Sequence, residues 1–139
     1  MAEGSEGVSA AATRGERLTS AERLRRRPEY KKVYAEGRRF AGRWLVLFAL
    51  PNGTERSRLG VTATRRTGGA TVRNLVKRRL KEIYRRSARP ALGDIGVDLV
   101  ANVRDGAPEA PFADLSAELL RLCRRAAEAA RTVRERGTP

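Results

Sequence analysis

The stretch from Leu59 to Arg86 reads LGVTATRRTGGATVRNLVKRRLKEIYRR, and it predicts a short strand, a glycine turn and a basic helix. Drawn at about 100° per residue, the helix has an aliphatic side formed by Leu75, Val72, Ile83, Val76 and Leu80. The other side carries Arg73, Tyr84, Lys77, Lys81, Asn74, Arg85 and Arg78. Glu82 is the only acidic residue between Thr62 and Ser87, so this basic side predicts an anionic partner.

The composition agrees with that prediction. Thirty lysine and arginine residues against sixteen aspartate and glutamate residues give the 139-residue chain a formal charge of +14. So large a charge on a small protein favours a polyanionic partner, of which nucleic acid is the commonest. The single cysteine excludes an internal disulfide and a cysteine-rich zinc site, and it fits a reducing cytosol.

The sequence contains no apolar run of the roughly 20 residues that a membrane span requires, and no signal pattern follows Met1. We therefore expect a cytoplasmic protein with no membrane partner. We also expect a disordered N-terminal tail over residues 1–17, one folded domain over residues 18–134 and a C-terminal tail over residues 135–139.

A second helix pattern precedes the strands. Pro28 fits its first turn and Gly37 its end, while Thr19 or Ser20 caps a shorter helix before it. Tyr30 and Tyr34 are four residues apart and share one side, with Lys31 and Lys32 pointing elsewhere. Two interpretations are open for these tyrosines: core residues, which the pattern alone favours, or a stacking platform for unpaired bases.

The remaining elements follow from alternation and helical spacing. Gly42 divides a short strand from a longer one at Trp44 to Leu50, and further strands are predicted at Leu59 to Thr64 and Val97 to Val103. Thr71 is a candidate cap for the basic helix, and Pro90 is expected to stop it. A last helix is predicted from Phe112 to Arg134 with an apolar stripe of Phe112, Leu115, Leu119, Leu122 and Ala126. Cys123 flanks the stripe, which indicates packing.

A search for catalytic groups in the polypeptide finds none. The chain has no histidine, which excludes Ser-His and Cys-His nucleophiles and histidine-based metal sites. No phosphate-binding glycine loop follows a strand, and the acidic residues form no evident acid/base pair. We therefore expect no catalytic residue and no metal-binding residue in the protein itself.

Three segments resemble the protein subunit of bacterial ribonuclease P. Leu24 to Gly37 (LRRRPEYKKVYAEG) is similar to the family's aromatic first helix, and Arg58 to Thr64 to its third strand. Arg65 to Arg79 (RRTGGATVRNLVKRR) is similar to its signature. Two positions depart from the family pattern: Leu75 stands where a second arginine is usual, and Gly69 where asparagine is usual.

The resemblance implies an α+β fold, an α-β-β-β-α-β-α sandwich with a four-stranded sheet. In it the basic helix joins two parallel strands by a left-handed crossover, whereas pattern reasoning alone favours a right-handed one. The implied activity is removal of the 5′ leader from precursor tRNA together with a catalytic RNA. The RNA would perform a magnesium-dependent phosphodiester hydrolysis and would bind most of the magnesium. We expect the protein to be monomeric outside the holoenzyme.

The resemblance also implies two sets of binding residues. The leader would lie against Tyr30, Tyr34 and Phe48, because stacking accepts any base. The catalytic RNA would meet Arg73, Asn74, Lys77 and Arg78, with Arg65 and Arg66 touching RNA close by. Position 75 is discounted as an RNA contact, and solvated charges are expected at Arg79, Arg85 and Arg86.

Three other functions compete with this one. A general RNA-binding or ribosome-associated protein would share the charge, but it has no reason to carry the signature. A DNA-binding helix-turn-helix protein is disfavoured because strands, not a helix, precede the basic helix. A basic helix on an anionic membrane is disfavoured because its aliphatic side is as modest as that of a core-facing helix.

Overall fold

A computed structural model of the chain describes residues 18–136. The main elements follow the predicted order of helices and strands: α1 Arg27–Glu36, β1 Arg38–Ala41, β2 Leu45–Pro51, β3 Arg58–Thr62, α2 Ala70–Ile83, β4 Val97–Val103 and α3 Phe112–Arg136. Short 3-10 turns, Ser20–Glu22 and Ala107–Glu109, precede α1 and α3. The expected N-terminal tail and residues 137–139 lie outside the described residues, whereas residues 135 and 136 belong to α3.

Four strands form one sheet in the order β1-β2-β4-β3. β2 pairs antiparallel with both β1 and β4, while β3 and β4 run parallel and are joined through α2. The predicted strand at Val97 to Val103 matches β4 at both ends, and the bend at Gly42 separates β1 from β2 as expected. β3 ends at Thr62, two residues before the predicted end.

The two faces of the sheet carry hydrophobic clusters of different size. On one face, here called the core face, α2 and α3 cover a large cluster that includes Leu47, Leu99 and Leu119. On the other, here called the groove face, a small cluster of Leu24, Val33 and Val100 lies under α1. The core face therefore holds most of the apolar area that stabilises the fold.

The prediction that Pro90 stops the basic helix is wrong. After α2 the chain continues through a π turn at Tyr84–Ala88 and a last turn at Arg89–Leu92. The Arg89 N–H bonds to the Tyr84 carbonyl, five residues back. The wider π turn makes room for the Pro90 ring, which has no N–H to donate and would crowd the carbonyl four residues back in a regular helix.

A buried carboxylate joins α3 to the bend between β1 and β2. Glu118 accepts hydrogen bonds from the backbone N–H groups of Arg43, Trp44 and Leu45 at 2.7, 2.8 and 2.9 Å. Its side chain is 5% exposed. These bonds satisfy backbone donors that the bend leaves without a strand partner.

The last helix packs largely as its apolar stripe predicts. Leu115, Leu119, Leu122 and Ala126 are buried, but Phe112 is 53% exposed because it occupies the first position of α3 and lies outside the core. Burial raises the pKa of the Cys123 thiol to about 12, in agreement with a packing role. No helix in the described part of the chain is long and apolar enough to cross a membrane.

Candidate nucleic-acid interface

The basic side of α2 is less uniform than the helical wheel predicts. Val76, Leu80 and Ile83 are buried as expected, but Val72 is 38% exposed. Val72 lies instead over the preceding turn, where a Cβ built at Gly68 would sit 2.9 Å from its Cγ1. Tyr84, predicted on the basic side, is fully buried, because it begins the π turn and packs in the large core cluster.

Glu82 balances part of the positive charge near the end of α2. It pairs with Arg85 and, at 2.7 Å, with the Nε of Arg86. Among the described residues, the structure gives no ion pair to Arg73, Lys77 or Arg78 of α2. The uncompensated charge therefore lies upstream of Glu82, at Arg73, Lys77 and Arg78.

Several cations on and beside α2 are partly buried, and Lys81 lies near Arg23 and Lys77. Burial lowers the pKa of Lys81, and the neighbouring charges of Arg23 and Lys77 lower it further. The Nε atoms of Arg23 and Arg73 are buried without a hydrogen-bond partner among the described residues. Such a group of cations favours an anion with several acceptor oxygens, as a phosphate provides.

The turn before α2 presents two further cations. Arg65 and Arg66 are exposed, and Arg66 makes one ion pair, at 3.2 Å, with Asp105. Gly68 has a φ of +150°, a value that side chains rarely tolerate. The predicted cap at Thr71 is not formed: Gly69 is the N-cap, and no side chain hydrogen-bonds there. Backbone geometry, not a side-chain cap, thus sets the direction in which α2 leaves the turn.

The three aromatic residues assigned to the leader lie together on the groove face. The rings of Tyr34 and Phe48 meet edge to face, with centroids 5.1 Å apart and planes at 84°. Tyr30 lies over Gly60 of β3, where an added Cβ would fall 2.5 Å from the tyrosine Oη. Burial raises the Tyr30 pKa, and its hydroxyl donates to the Leu24 carbonyl at 3.2 Å.

None of these rings belongs to the fully buried core. Tyr34 is 39% exposed, while Tyr30 and Phe48 are half-buried and pack against the small cluster under α1. Partial exposure leaves an aromatic surface available for a ligand, whereas a core tyrosine is closed on all sides. The arrangement agrees with a stacking platform better than with two core tyrosines.

An open groove of about 840 Å³ runs beside these rings, and it is lined by Arg25, Arg27, Tyr30, Lys31, Tyr34 and Thr62. Three of these residues are cations that sequence reasoning missed, and Lys31 was expected to point elsewhere. The register also sets the exposed Arg39 opposite Phe48, on the same face. The groove thus combines aromatic rings with positive charge, as single-stranded nucleic acid requires.

A polar network at the groove was also missed. The Tyr34 hydroxyl and the Thr62 hydroxyl both donate to Oδ1 of Asn102, at 2.7 and 2.6 Å. The only sequence signal is a polar residue at alternating spacing in the otherwise apolar strand β4. Its partner Thr62 lies 40 residues away, and only the parallel pairing of β3 with β4 brings the two together.

Ionic contacts fasten α1 to the sheet. The Arg58 guanidinium donates to both carboxylate oxygens of Asp98, at 2.9 and 2.6 Å, and to Glu29 of α1 at 2.9 Å. Backbone hydrogen bonds from Arg26 and then Arg25, together with Arg58, hold the pKa of the Glu29 carboxyl below its usual value. These contacts hold one wall of the groove at a fixed distance from the sheet.

Comparisons with known proteins agree with this picture. Residues 18–127 match the family model described as Ribonuclease P. The ribonuclease P protein component of Acidothermus cellulolyticus is 39% identical over 107 residues, covering 76% of this chain and 88% of the relative. That of Clostridioides difficile is 32% identical over 102 residues, covering 73% and 89%.

Solved structures show the same likeness. The ribonuclease P protein of Thermotoga maritima is 33% identical with a TM-score of 0.67, and the match covers 75% of this chain and 96% of that one. The protein from Staphylococcus aureus, at 21% identity and a TM-score of 0.65, covers 77% and 96% and supports the fold alone. The α+β sandwich expected from the sequence is thus the fold of these proteins.

Proposed function

The chain belongs to the bacterial ribonuclease P protein family, and from this premise we propose that it holds two RNA segments on two adjoining surfaces. Family membership makes it the RNA-binding protein component of a ribonucleoprotein endoribonuclease that processes tRNA at the 5′ leader. The finer division of labour among its residues is our proposal.

The proposal rests on how the two surfaces adjoin. Thr62 lines the groove and is also the last residue of β3, and Arg65 follows in the turn that leads into α2. RNA leaving the groove at this end would therefore meet the basic turn at once. A substrate strand and the catalytic RNA would be held side by side.

The first surface binds the catalytic RNA through the turn and the part of α2 upstream of its last turn, with contacts from Arg65, Arg66, Arg73, Asn74, Lys77 and Arg78. Asn74 and Arg78 are exposed, and the half-buried Arg73 and Lys77 have no ion pair within residues 18–136. Phosphates of a folded RNA would supply the missing negative charge. Arg85 and Arg86 already pair with Glu82 and take no part.

The second surface binds the single-stranded leader of precursor tRNA. Tyr30, Tyr34 and Phe48 offer rings on which bases of any sequence can stack, while Arg25, Arg27 and Lys31 face the phosphates. Binding the leader would give the holoenzyme a preference for precursor over mature tRNA. Mature tRNA lacks the leader and would leave this groove empty.

We assign the magnesium of the reaction to the RNA subunit. Within residues 18–136 no three His, Cys, Asp or Glu side chains are placed to hold a metal ion together. Magnesium bound to the RNA would activate the water that cleaves the phosphodiester. We also propose that the protein is monomeric outside the holoenzyme and acts in the cytoplasm, where its one cysteine stays reduced.

Reconstitution with the organism's own ribonuclease P RNA tests the proposal. We expect the isolated protein to show no nuclease activity, yet to strengthen precursor cleavage by that RNA at low magnesium concentration. Hydrolysis of precursor tRNA by the protein alone would contradict it. RNA recovered with the protein from cells distinguishes a general RNA-binding protein, which would retain many RNAs instead of one dominant structured RNA.

A further inference from the structure

Asn102 lies on the groove face, in the row of residues next to Phe48. The register pairs Phe48 with Val100 and Val46 with Asn102, and it sets Thr62 opposite Asn102 on β3. Residues two apart in a strand point to the same face, and so do residues paired directly across strands. The side chain of Asn102 therefore lies on the same face of the sheet as the Phe48 ring.

Two hydroxyl groups fix the orientation of that amide. Oδ1 accepts from the Tyr34 hydroxyl at 2.7 Å and from the Thr62 hydroxyl at 2.6 Å. A carboxamide oxygen has two lone pairs, so both are in use. The Nδ2 group, by contrast, has no acceptor among the described residues. Asn102 thus presents two N–H donors and no free acceptor.

We infer that Asn102 reads one unpaired base in the groove by donating hydrogen bonds from Nδ2. The inference rests on the proposed function, because it takes the single-stranded leader as the ligand of the groove. Stacking on the rings grips a base without identifying it. A hydrogen-bond donor held in a fixed orientation beside the rings would make binding depend on which base occupies one leader position.

The occupied oxygen determines which bases fit. A free asparagine amide recognises adenine by donating to one atom and accepting from its neighbour, and this mode needs Oδ1. Asn102 can only donate, so it favours a base edge with two adjacent acceptors. Cytosine presents O2 and N3 side by side, and guanine presents O6 and N7, whereas N1 and N7 of adenine each lie beside the N6 donor and O2 and O4 of uracil each lie beside the N3 donor. We therefore expect cytosine or guanine to be preferred.

The test uses the holoenzyme reconstituted with its own RNA and precursor tRNAs in which each leader nucleotide near the cleavage site is replaced by all four bases. Dissociation constants are measured for each. At one position the unaltered protein should bind cytosine or guanine about threefold to tenfold more tightly than adenine, the worth of one or two hydrogen bonds. Asn102→Ala should abolish this preference. Val46→Ala, in the same row, removes no donor and should keep it.

A second variant tests the inference without changing Asn102. Tyr34→Phe combined with Thr62→Val removes both hydroxyls, frees Oδ1 and should let the amide accept adenine. Adenine should then bind as well as guanine or better. Continued discrimination against adenine in this double variant would overturn the inference, and thermal melting confirms that each variant is folded.

The outcomes also separate this inference from the proposed function. The inference about Asn102 is wrong if no leader position shows a base preference, or if the preference persists in Asn102→Ala. In either case the groove can still bind the leader. If Tyr34→Leu also leaves the preference for precursor over mature tRNA intact, the groove does not bind the leader and the proposed function itself is wrong.

Discussion

The two faces of the sheet differ in how completely they are closed. On the core face, Leu45, Leu47 and Leu99 are fully buried beneath α2 and α3. On the groove face, α1 covers only a small cluster, and the Tyr34 ring beside it remains 39% exposed. A protein of this size can leave one face open because burial on the other supplies most of the stabilising free energy.

Tyr84 and Tyr34 show this difference between the two faces. Tyr84 is fully buried on the core face, and its hydroxyl has no hydrogen-bond partner among the described residues. Tyr34 directs its hydroxyl to Asn102 and leaves part of its ring exposed. The same residue type therefore fills space on one face and presents a surface on the other. Substitutions on the two faces should therefore separate effects on stability from effects on binding.

The largest effect is expected from Glu118→Ala. The substitution leaves three backbone N–H groups of the β1–β2 bend without their acceptor, and should lower the free energy of unfolding by about 3 to 5 kcal/mol. Urea denaturation measures the change. Glu128→Ala, at an exposed position of the same helix, should shift it by about 0.5 kcal/mol or less. Equal effects of the two substitutions would show that the buried carboxylate is not what holds the bend.

The next effect concerns the open face. Tyr34→Leu keeps much of the apolar volume but removes the aromatic face, so the affinity ratio of precursor to mature tRNA should fall about fivefold to a hundredfold. Tyr30→Leu should act in the same direction. The melting temperature should change little for Tyr34→Leu, because that ring is partly exposed. Both quantities are measured on each variant.

Tyr84→Leu is the matched control for the tyrosine variants. It removes a fully buried ring from the core face and should cost about 1 to 3 kcal/mol of stability, with the affinity ratio unchanged among folded molecules. A large stability loss with an unchanged ratio in Tyr34→Leu would return Tyr34 to a structural role. Leader binding would then depend on the cations of the groove alone.

A smaller effect is expected on the basic side of α2. Arg73→Ala and Lys77→Ala should each reduce the slope of log affinity for the catalytic RNA against log salt concentration by about one. Leu75→Arg, which restores the usual family residue, should leave the affinity unchanged or raise it. Arg124→Ala, at an exposed position of α3, should leave the slope as it is. An unchanged slope for both α2 variants would move the RNA interface elsewhere.

Local sequence patterns predicted most of the fold. The alternation of apolar residues predicted both ends of β4, and their helical spacing predicted most of the buried side of α3. Both patterns depend only on residues close together in sequence. The prediction that the helix ends at Pro90 was wrong because a π turn accommodates the proline. Tyr84 begins that turn and is buried in the core instead of lying on the basic side. A wheel drawn at a constant angle cannot represent such a turn.

The site was harder to predict because it depends on long-range pairing. The signature placed the cations of α2 in sequence, but the cations of the groove line it only because α1 lies across the sheet. The contact of Asn102 with Tyr34 spans 68 residues, and that of Glu118 with Arg43 spans 75. Neither the packing of α1 nor the register of β3 on β4 can be read from a local pattern.

The smallest effect is expected at the start of α2, the helix that carries core residues on one side and, on the other, the cations that we propose bind RNA. Gly69 is the N-cap with φ −71° and ψ 176°, and a Cβ there would meet nothing within 4 Å. Gly69→Asn, the usual family residue, should therefore add a side-chain cap and stabilise the protein by about a few tenths of a kcal/mol. Gly68→Ala is the contrasting variant: its φ is +150° and its Cβ would crowd Val72, so it should destabilise. Affinity for the catalytic RNA should stay unchanged in Gly69→Asn, since no cation moves; a marked change in affinity would show that this turn, and not only the basic side of α2, determines how the RNA is held.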